Sequence, residues 1–311
     1  MTDPVPPFPV IMGPTASGKS ALAMELARRY RGEILSFDSM QVYRGLDIGT
    51  AKPTAAEQKE IPHHLIDILD IGERADLFTF RERAERLIAE IRSRGRLPIP
   101  AGGTGLYLRA LLYGLDNMPA DETLRNRINQ QFDNDAGFEI LKTIAREKIP
   151  DDFAKWHSHR RRLLRAYEVF LLTGKSFTSL QQSWRSAGPR PDAVSFVLLW
   201  ERDELKRRIR ERCRSMLNSG WIEETEHLAG QGLFSAPTAW QALGYPLIGE
   251  YLRGNFSRGE LEERIVTATW QFARRQLTWF RGQHKEAVIL PMPQPTELLL
   301  ERIAAALGKK R

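Results

Sequence analysis

Residues 13–20, Gly-Pro-Thr-Ala-Ser-Gly-Lys-Ser, have the types and the spacing of a phosphate-binding loop. They follow the apolar run Phe8–Met12 and precede a helical pattern that starts at Ala21. In such a loop the backbone N–H groups and a helix N-terminus bind an anion, Lys19 adds a full charge, and Ser20 offers a hydroxyl to phosphate-bound Mg²⁺. We therefore predict that a molecule with two or more linked phosphates binds to Gly13, Pro14, Thr15, Ala16, Ser17, Gly18, Lys19 and Ser20. The pattern does not say which polyphosphate it is.

Two other groups of residues follow predicted strands and could face the same ligand. Asp38 comes directly after the apolar run Glu33–Phe37, at the end of a strand where open α/β sheets place their chemistry. The segment Gly102-Gly103-Thr104-Gly105 follows the predicted strand Leu97–Ala101. Its glycines allow a backbone and a small hydroxyl to approach a ligand closely, although an ordinary strand-to-helix turn has the same composition.

The elements that must position these groups alternate between strands and helices. The first strand, the phosphate-binding loop, the following helix and the strand Glu33–Phe37 form a βαβ unit, which predicts a parallel sheet. Residues 39–53 show neither helical nor strand periodicity and are predicted to be a long ordered loop or binding segment. The fold prediction is α/β: a P-loop NTPase-like core with a parallel sheet, plus a helical insertion domain.

The insertion is indicated by a change of texture after Met118-Pro119-Ala120. From there to about 188 the patterns are helical, so we assign residues 118–188 to the insertion, and 1–117 with 189–311 to the core. Further strands are predicted at Val194–Trp200 and Ala287–Leu290. The other predicted helices are Thr79–Arg94, Leu124–Arg146, Arg160–Leu172, Asp203–Leu217, Ile222–Ala229, Ala239–Arg253, Gly259–Arg281 and Thr296–Leu307.

Composition limits the class of protein. The 311 residues are 42% apolar and 27% charged, as in globular proteins, and no apolar run approaches the length needed to span a bilayer. The N-terminal segment resembles neither a signal nor a transit peptide, so a cytoplasmic protein is expected. We take the protein to be a monomer. The single cysteine, Cys213, excludes an intrachain disulfide and a Cys-based zinc site, and His63-His64 has no ligand partners at metal-site spacing.

The positive charge is concentrated in arginine clusters. The net charge is +7 and the isoelectric point is near 9.6. Such clusters are typical of proteins that bind a phosphate-rich polymer, but they also occur on solvated helix faces, and composition leaves both interpretations open. The clusters are Arg160-Arg161-Arg162 with Arg165, Arg207-Arg208 with Arg210, Arg212 and Arg214, and Arg274-Arg275 with Arg281.

These motifs, taken in order, resemble the tRNA dimethylallyltransferases, the bacterial isopentenyltransferase family. The segments that carry the resemblance are 13–20, 38–43, 47–53 and 102–107, extended by 162–166, Gly244-Tyr245 and 274–280. The resemblance implies transfer of a dimethylallyl group from dimethylallyl diphosphate to N6 of adenosine 37, in the tRNA anticodon loop, with release of diphosphate. It also implies Mg²⁺ as cofactor, held by Ser20 through the diphosphate.

The resemblance further implies roles for individual residues. Asp38 would be the general base, with a helix cap or a Mg²⁺ partner as its alternative, while Thr104 and Arg212 would contact diphosphate. Gln41 is suited to pair with a base edge. The implied tRNA-binding residues are Asp38, Ser39, Met40, Gln41, Thr104, Arg125, Arg161, Arg162, Leu163, Leu164, Arg165, Gln241, Gly244 and Tyr245. Ser158-His159 and Pro246 depart from the family pattern in these tRNA-facing segments.

Two other functions fit parts of the sequence. A small-molecule kinase also combines a P-loop with an Asp after the second strand, and would bind ATP and use an arginine-bearing lid. The helical insertion is larger than such lids commonly are. An RNA-binding module with a vestigial P-loop would use the basic clusters and leave Lys19, Ser20 and Asp38 without function.

Overall fold

The computed structural model describes residues 6–114, 118–181 and 188–308. The chain divides into two compact units, the first made of Met1–Leu112 with Pro189–Arg311 and the second of Tyr113–Gly188. The predicted insertion began at 118, later than the observed start at Tyr113, and ended at the same residue. Residues 115–117, which the prediction placed at the end of the core, lie outside the described part of the chain.

In the described part of the first unit, six strands form one parallel sheet in the order β3-β2-β4-β1-β5-β6. The predicted α/β fold with a parallel sheet is confirmed. All residues of the first two strands are buried, as expected for a parallel sheet covered on both faces. The strands are β1 Phe8–Met12, β2 Gly32–Phe37, β3 His63–His64, β4 Leu97–Gly102, β5 Ala193–Trp200 and β6 Val288–Met292.

The predicted helices are present with two exceptions, and the shorter helices at Ala55–Glu60, Gly105–Tyr113, Pro150–Trp156 and Phe177–Leu180 had not been assigned from the sequence. In chain order they are α1 Lys19–Tyr30, α2 Ala55–Glu60, α3 Leu77–Ser93, α4 Gly105–Tyr113, α5 Glu122–Phe132, α6 Asp135–Lys148, α7 Pro150–Trp156, α8 Arg160–Thr173, α9 Phe177–Leu180, α10 Arg202–Asn218, α11 Trp221–Gly230, α12 Tyr245–Leu252, α13 Arg258–Gln283 and α14 Thr296–Gly308. Among the described residues, no helix is both long enough and apolar enough to cross a membrane.

The prediction of one helix over Ala239–Arg253 was wrong. A 3₁₀ turn at Ala239–Gln241 and helix α12 are separated by Gly244, whose φ of +97° no helix tolerates. A Cβ at Gly244 would lie 2.3 Å from the ring of Trp221. Only glycine fits both this conformation and this space. The prediction failed because the apolar periodicity of the sequence continues across Gly244 although the helix does not.

The core of the first unit fixes the ends of the phosphate-binding loop. Ile11 in β1 and Leu22 and Leu26 in α1 belong to one buried cluster that also contains Phe196 and Leu290. Because strand and helix are both anchored in this cluster, the loop between them is held at both ends. Residues 13–18 therefore lie at the carboxyl end of the central strand β1.

The second unit is helical in its described residues, as the sequence indicated. Helices α5 to α9 surround a core that contains Ile128, Phe132, Leu141 and Leu163. The predicted single helix Leu124–Arg146 was wrong, because α5 ends at Phe132 and α6 starts after Asn134. The Asn134 side chain accepts a hydrogen bond from the Gly137 N–H at 2.8 Å, which makes it the N-cap of a new helix.

Candidate active site

The phosphate-binding loop has the left-handed residues that its turn requires. Ala16 has φ +63° and Gly18 has φ +88°, and the Ser17 N–H donates to the Pro14 carbonyl at 3.2 Å. Gly18 precedes α1 and has no side chain to cap it, so the first N–H groups of α1 have no side-chain acceptor there. The Lys19 ammonium lies over the loop, 3.3 Å from the Pro14 carbonyl oxygen. This arrangement is that of an anion site at a helix N-terminus.

Side chains from the C-terminal half of the chain hold this loop. The Trp200 indole N–H donates to the Ser17 carbonyl at 2.8 Å, and the Arg208 Nε donates to the Ala16 carbonyl at 2.9 Å. The predicted site residue Arg212 donates to the Thr15 hydroxyl. Sequence reasoning missed Trp200 and Arg208 as site residues, because nothing in the local pattern marks a contact across more than 180 positions.

Gln276 joins the two glycine-containing loops of the site. Its side-chain oxygen accepts from the Thr15 N–H at 2.8 Å, and its amide donates to the Gly103 carbonyl, also at 2.8 Å. Gln276 is 7% exposed, so both bonds are shielded from water. Its membership of the segment 274–280, which carried part of the resemblance, was the available sequence signal.

The loop carries more positive than negative charge. Burial and, to a smaller extent, the charge of Arg212 lower the pKa of Lys19 to about 8, against the opposing charge of Asp38. Burial also lowers the pKa of Arg212. Two cations that are costly to bury together are stabilised when an anion binds between them. The electrostatics therefore favour a multiply charged anion at the loop.

Asp38 lies at the end of β2 and uses one carboxylate oxygen to shape the chain after it. Its Oδ1 accepts from the Met40 N–H at 2.9 Å and from the Gln41 N–H at 3.4 Å. Within the described residues, Oδ2 accepts no hydrogen bond. Thr104 Oγ1 accepts from the Ser39 N–H at 3.0 Å, which ties the end of β4 to the end of β2.

One cavity of about 890 Å³ in the first unit brings the predicted residues together. Its lining contains residues of the phosphate-binding loop and Asp38, so an anion bound to the loop and a second substrate next to Asp38 fit in the same cavity. The predicted residues that line it are Thr15, Ala16, Gly18, Lys19, Ser20, Asp38, Ser39, Met40, Gln41, Thr104, Arg212 and Gln241. Arg208, Trp221, Phe272, Arg275 and Gln276 also line it.

Comparison with known proteins identifies the family. The sequence profile described as "IPP transferase" matches residues 41–283. The chain belongs to the IPP transferase family. The tRNA dimethylallyltransferase of Methylococcus capsulatus is 45% identical over 282 residues, covering 90% of each chain. That of Kocuria rhizophila is 41% identical over 280 residues, covering 88% of this chain and 86% of its own.

Solved structures of IPP transferases share the fold. The tRNA isopentenylpyrophosphate transferase of Bacillus halodurans is 35% identical, with a TM-score of 0.71 and coverage of 98% of this chain and 97% of its own. A eukaryotic dimethylallyltransferase acting on tRNA is 27% identical, with a TM-score of 0.76 and coverage of 91% and 73%. The P-loop NTPase-like core is confirmed, and family membership favours prenyl transfer over the kinase alternative.

The side chain of Gln41, which was predicted to suit a base edge, is hydrogen-bonded within the protein. Its Nε2 donates to the carbonyls of Thr50 at 3.1 Å and Ala51 at 3.0 Å, and its Oε1 accepts from the Ser36 hydroxyl at 2.7 Å. Both amide hydrogens are therefore used inside the protein. In this geometry Gln41 holds the loop and does not present its amide to a base edge.

Two of the residues that family resemblance assigned to tRNA near the C-terminal helices are buried. Tyr245 is fully buried, and its hydroxyl donates to Glu224 at 2.6 Å. Gly244 is also buried, against Trp221. The Tyr245 side chain and the backbone at Gly244 are therefore not available to RNA, whereas Gln241 is exposed. Pro246 lies in the first turn of α12, a position that tolerates proline because no backbone donor is needed there.

In the second unit of this IPP transferase, one face of α8 packs into the hydrophobic core and the other face is exposed. Leu163 and Leu164 lie in the hydrophobic core, so their side chains are not available to tRNA, and their assignment to tRNA stays a prediction limited to the backbone. Arg161 and Arg162 are exposed and form no ion pair among the described residues. Ser158 and His159, which depart from the family pattern, are exposed and hydrogen-bonded to each other at 3.0 Å.

Arg125 and Arg165 have a structural partner. Both guanidinium groups bind the carboxylate of Glu168, at 3.0 Å and 2.8 Å, and Glu168 is only 1% exposed. A buried carboxylate requires such partners, because an unpaired charge in the interior is costly. The assignment of these two arginines to tRNA stays a prediction, and any such contact would be shared with Glu168.

The arginine cluster in α10 is divided between surface and site. Ion pairs on the surface join Arg207 to Glu204 and Glu211, Arg210 to Glu263, and Arg214 to Glu262. Arg208 and Arg212 point to the phosphate-binding loop instead. For the exposed members, the interpretation as a solvated helix face fits the structure.

A protein-built metal centre is not found among the described residues. No group of three His, Cys, Asp or Glu side chains there could hold a metal ion. His64 binds Glu33 at 2.7 Å, His63 lies 2.8 Å from the Ile61 carbonyl, and buried Cys213 lies 3.7 Å from the Thr269 hydroxyl. Ser20 lines the cavity, and its hydroxyl has no hydrogen-bond partner in the described residues. This fits a Mg²⁺ ion that keeps waters and binds mainly to a diphosphate.

Proposed function

We propose that the protein transfers a dimethylallyl group from dimethylallyl diphosphate to N6 of adenosine 37 in tRNA and releases diphosphate. The observation that carries the proposal is the single cavity lined by both Lys19 and Asp38. A leaving diphosphate and an incoming amine can therefore meet at one carbon atom. The names of the relatives, tRNA dimethylallyltransferases, support transfer of this group to tRNA. We also propose that the protein acts in the cytoplasm as a monomer.

The phosphate-binding loop stabilises the leaving group. As the C1–O bond of the substrate breaks, negative charge grows on the diphosphate, where Lys19, Arg212 and the first amides of α1 bind it more strongly than in the ground state. Mg²⁺ bound to the diphosphate supplies further charge neutralisation. Its protein ligand would be the Ser20 hydroxyl.

Asp38 acts on the other substrate. The N6 amine of adenine is a weak nucleophile because its lone pair is delocalised into the ring. As N6 forms its bond to C1, it becomes acidic, and Asp38 Oδ2 accepts its proton. Asp38 Oδ1 is held by two backbone N–H groups, which orient the carboxylate during the transfer.

The tRNA must present an unstacked base. Removing a nucleotide from the stack costs a few kcal/mol, and least in a loop, which favours an anticodon-loop substrate. Arg161 and Arg162 are exposed cations in the second unit that suit the phosphate backbone. Gln241, at the cavity, is the remaining exposed candidate from the segment 241–246.

The decisive experiment analyses nucleosides by mass spectrometry after incubating tRNA with the protein, Mg²⁺ and dimethylallyl diphosphate. We expect adenosine to gain the mass of one prenyl unit, and an Asp38→Ala variant to give almost none. In a parallel reaction with ATP in place of dimethylallyl diphosphate, we expect no phosphorylated product. Unmodified adenosine with the wild-type protein, or ATP-dependent phosphorylation of a small molecule, would contradict the proposal.

A further inference from the structure

The segment between Asp38 and Thr54 forms no helix or strand, yet several of its residues line the cavity next to Asp38. We call this part of the lining the acceptor side, and the part formed by the phosphate-binding loop the diphosphate side. Within it, residues 46–52 form a compact turn. The Ala51 N–H donates to the Ile48 carbonyl and the Lys52 N–H to the Asp47 carbonyl, both at 2.9 Å. We call residues 46–52 the acceptor turn.

One carboxylate on α11 receives the outward N–H groups of the acceptor turn. Glu224 Oε2 accepts from the N–H of Asp47 at 3.1 Å and of Ile48 at 2.7 Å. Glu224 Oε1 accepts from the Gly49 N–H at 3.1 Å and from the Tyr245 hydroxyl at 2.6 Å. The two oxygens thus accept four hydrogen bonds, all of them charge-assisted.

Packing places the acceptor turn against the first residues of α11 and α12. A Cβ at Gly49 would lie 2.1 Å from the Trp221 indole nitrogen and 2.5 Å from the Tyr245 ring. The backbone at Gly49 therefore rests directly on these two aromatic rings. Because Trp221 and Tyr245 are buried, this surface is rigid and the carboxylate beside it is well placed.

The acceptor turn in turn holds the residues next to Asp38. Its Thr50 and Ala51 carbonyls accept both amide hydrogens of Gln41. The Gln41 backbone N–H is one of the two donors that bind Asp38 Oδ1. A continuous series of hydrogen bonds therefore leads from Glu224 through the acceptor turn to the candidate base.

We propose that Glu224 is a positioning residue that fixes the acceptor turn and, through Gln41, orients Asp38 toward the amine of the nucleic-acid substrate. This inference rests on the proposed function. Glu224 has no part in holding the phosphate-binding loop, whose partners are Trp200, Arg208, Arg212 and Gln276. Loss of Glu224 should therefore harm the acceptor side and spare the diphosphate side.

The test compares Glu224→Gln with Glu223→Gln. A glutamine in either orientation offers one oxygen, so it loses two of the four hydrogen bonds and puts its own N–H donors opposite other donors. Glu223 is the matched control, because it also lies in the first turn of α11, is exposed, and makes no hydrogen bond among the described residues. The control removes the same helix-terminal charge.

Three quantities are measured on each full-length variant: amide hydrogen exchange, kcat with tRNA, and Kd for dimethylallyl diphosphate. Amide hydrogen exchange of peptides covering residues 44–52 should be about tenfold faster in Glu224→Gln than in Glu223→Gln, because local opening becomes easier. The kcat with tRNA should fall about tenfold or more, while Kd for dimethylallyl diphosphate stays within about twofold. A role in stability alone would not separate these two constants at temperatures well below the Tm.

Each outcome decides the inference. Equal exchange, or equal kcat, in Glu224→Gln and Glu223→Gln overturns it, as does a matching loss of dimethylallyl diphosphate affinity. If Glu224→Gln does not fold, Tyr245→Phe replaces it; that change removes one of the four bonds and should lower kcat about two- to fivefold with faster exchange. If wild-type protein forms no prenylated adenosine, the proposed function fails, and with it the catalytic part of this inference, while exchange still shows whether Glu224 holds the turn.

Discussion

The two sides of the cavity are built in different ways. The turn of the phosphate-binding loop closes through a local bond between Ser17 and Pro14 and continues directly into α1, and side chains distant in sequence also bind the loop. The acceptor side follows Asp38 as a long segment without regular structure and depends on Glu224, 177 positions after Asp47. The difference implies that changes on the two sides should affect different substrates.

The largest effect should come from Asp38→Ala, which removes the proposed base. We expect kcat to fall about 10³-fold, within the range for general-base catalysis. The affinity for dimethylallyl diphosphate, measured by calorimetry, should change little. A near-wild-type rate at saturating tRNA would show that the acceptor side needs no carboxylate.

Lys19→Ala tests the opposite side. Loss of this charge should lower kcat/KM about 10²-fold, since a donor to the developing charge is removed. The KM for dimethylallyl diphosphate should rise, and Kd for tRNA, measured by filter binding, should stay within about twofold. An equal loss of tRNA affinity would mean that the two sides are not separable.

Lys52→Met tests a second set of contacts that holds the acceptor turn, those made by the Lys52 ammonium. The Lys52 side chain is 3% exposed and binds the Tyr43 carbonyl at 2.9 Å and Asp67 at 2.6 Å. Methionine keeps the length but leaves these acceptors without the ammonium. We expect kcat with tRNA to fall about tenfold with dimethylallyl diphosphate affinity retained. Lys59→Met, on an exposed site of α2, is the control.

The pH dependence of diphosphate binding should report Lys19. Its pKa of about 8 means that the ammonium is charged below pH 8 and neutral well above it. Because only the charged form attracts the anion, binding is full below pH 8 and weakens as pH rises, by at most about tenfold per unit. Titration of dimethylallyl diphosphate binding between pH 6.5 and 9.5 should show this slope in wild type and not in Lys19→Ala.

The smallest effects should come from the second unit. Arg161→Ala and Arg162→Ala each remove one exposed cation from α8. If each contacts one phosphate, tRNA affinity should fall several-fold and the slope of log K against log salt should become shallower by about 0.7 to 0.9. Fluorescence anisotropy at several salt concentrations measures both. An unchanged slope would remove these residues from the tRNA interface, and kcat at saturating tRNA should be unaffected.

The sequence predicted the parts of this protein that depend on local geometry. Glycine spacing and a following helix determine a phosphate-binding loop, and short apolar runs determine the buried strands whose ends place Asp38 and Thr104. The same periodicity could not show the helix boundaries at Asn134 and Gly244. A capping side chain and a left-handed glycine interrupt patterns that otherwise read as continuous.

Long-range packing brings together the side chains that complete the site. Gln276 reaches Thr15 across 261 positions, and Glu224 reaches the acceptor turn across 175 to 177 positions. Packing also gives residues of the same type different environments: Arg212 faces the loop, while Arg210 pairs with a glutamate on the surface. Tyr245 is buried, which its local sequence did not show. Local patterns record backbone preference and burial, whereas partners this distant are chosen by how the sheet and the C-terminal helices pack.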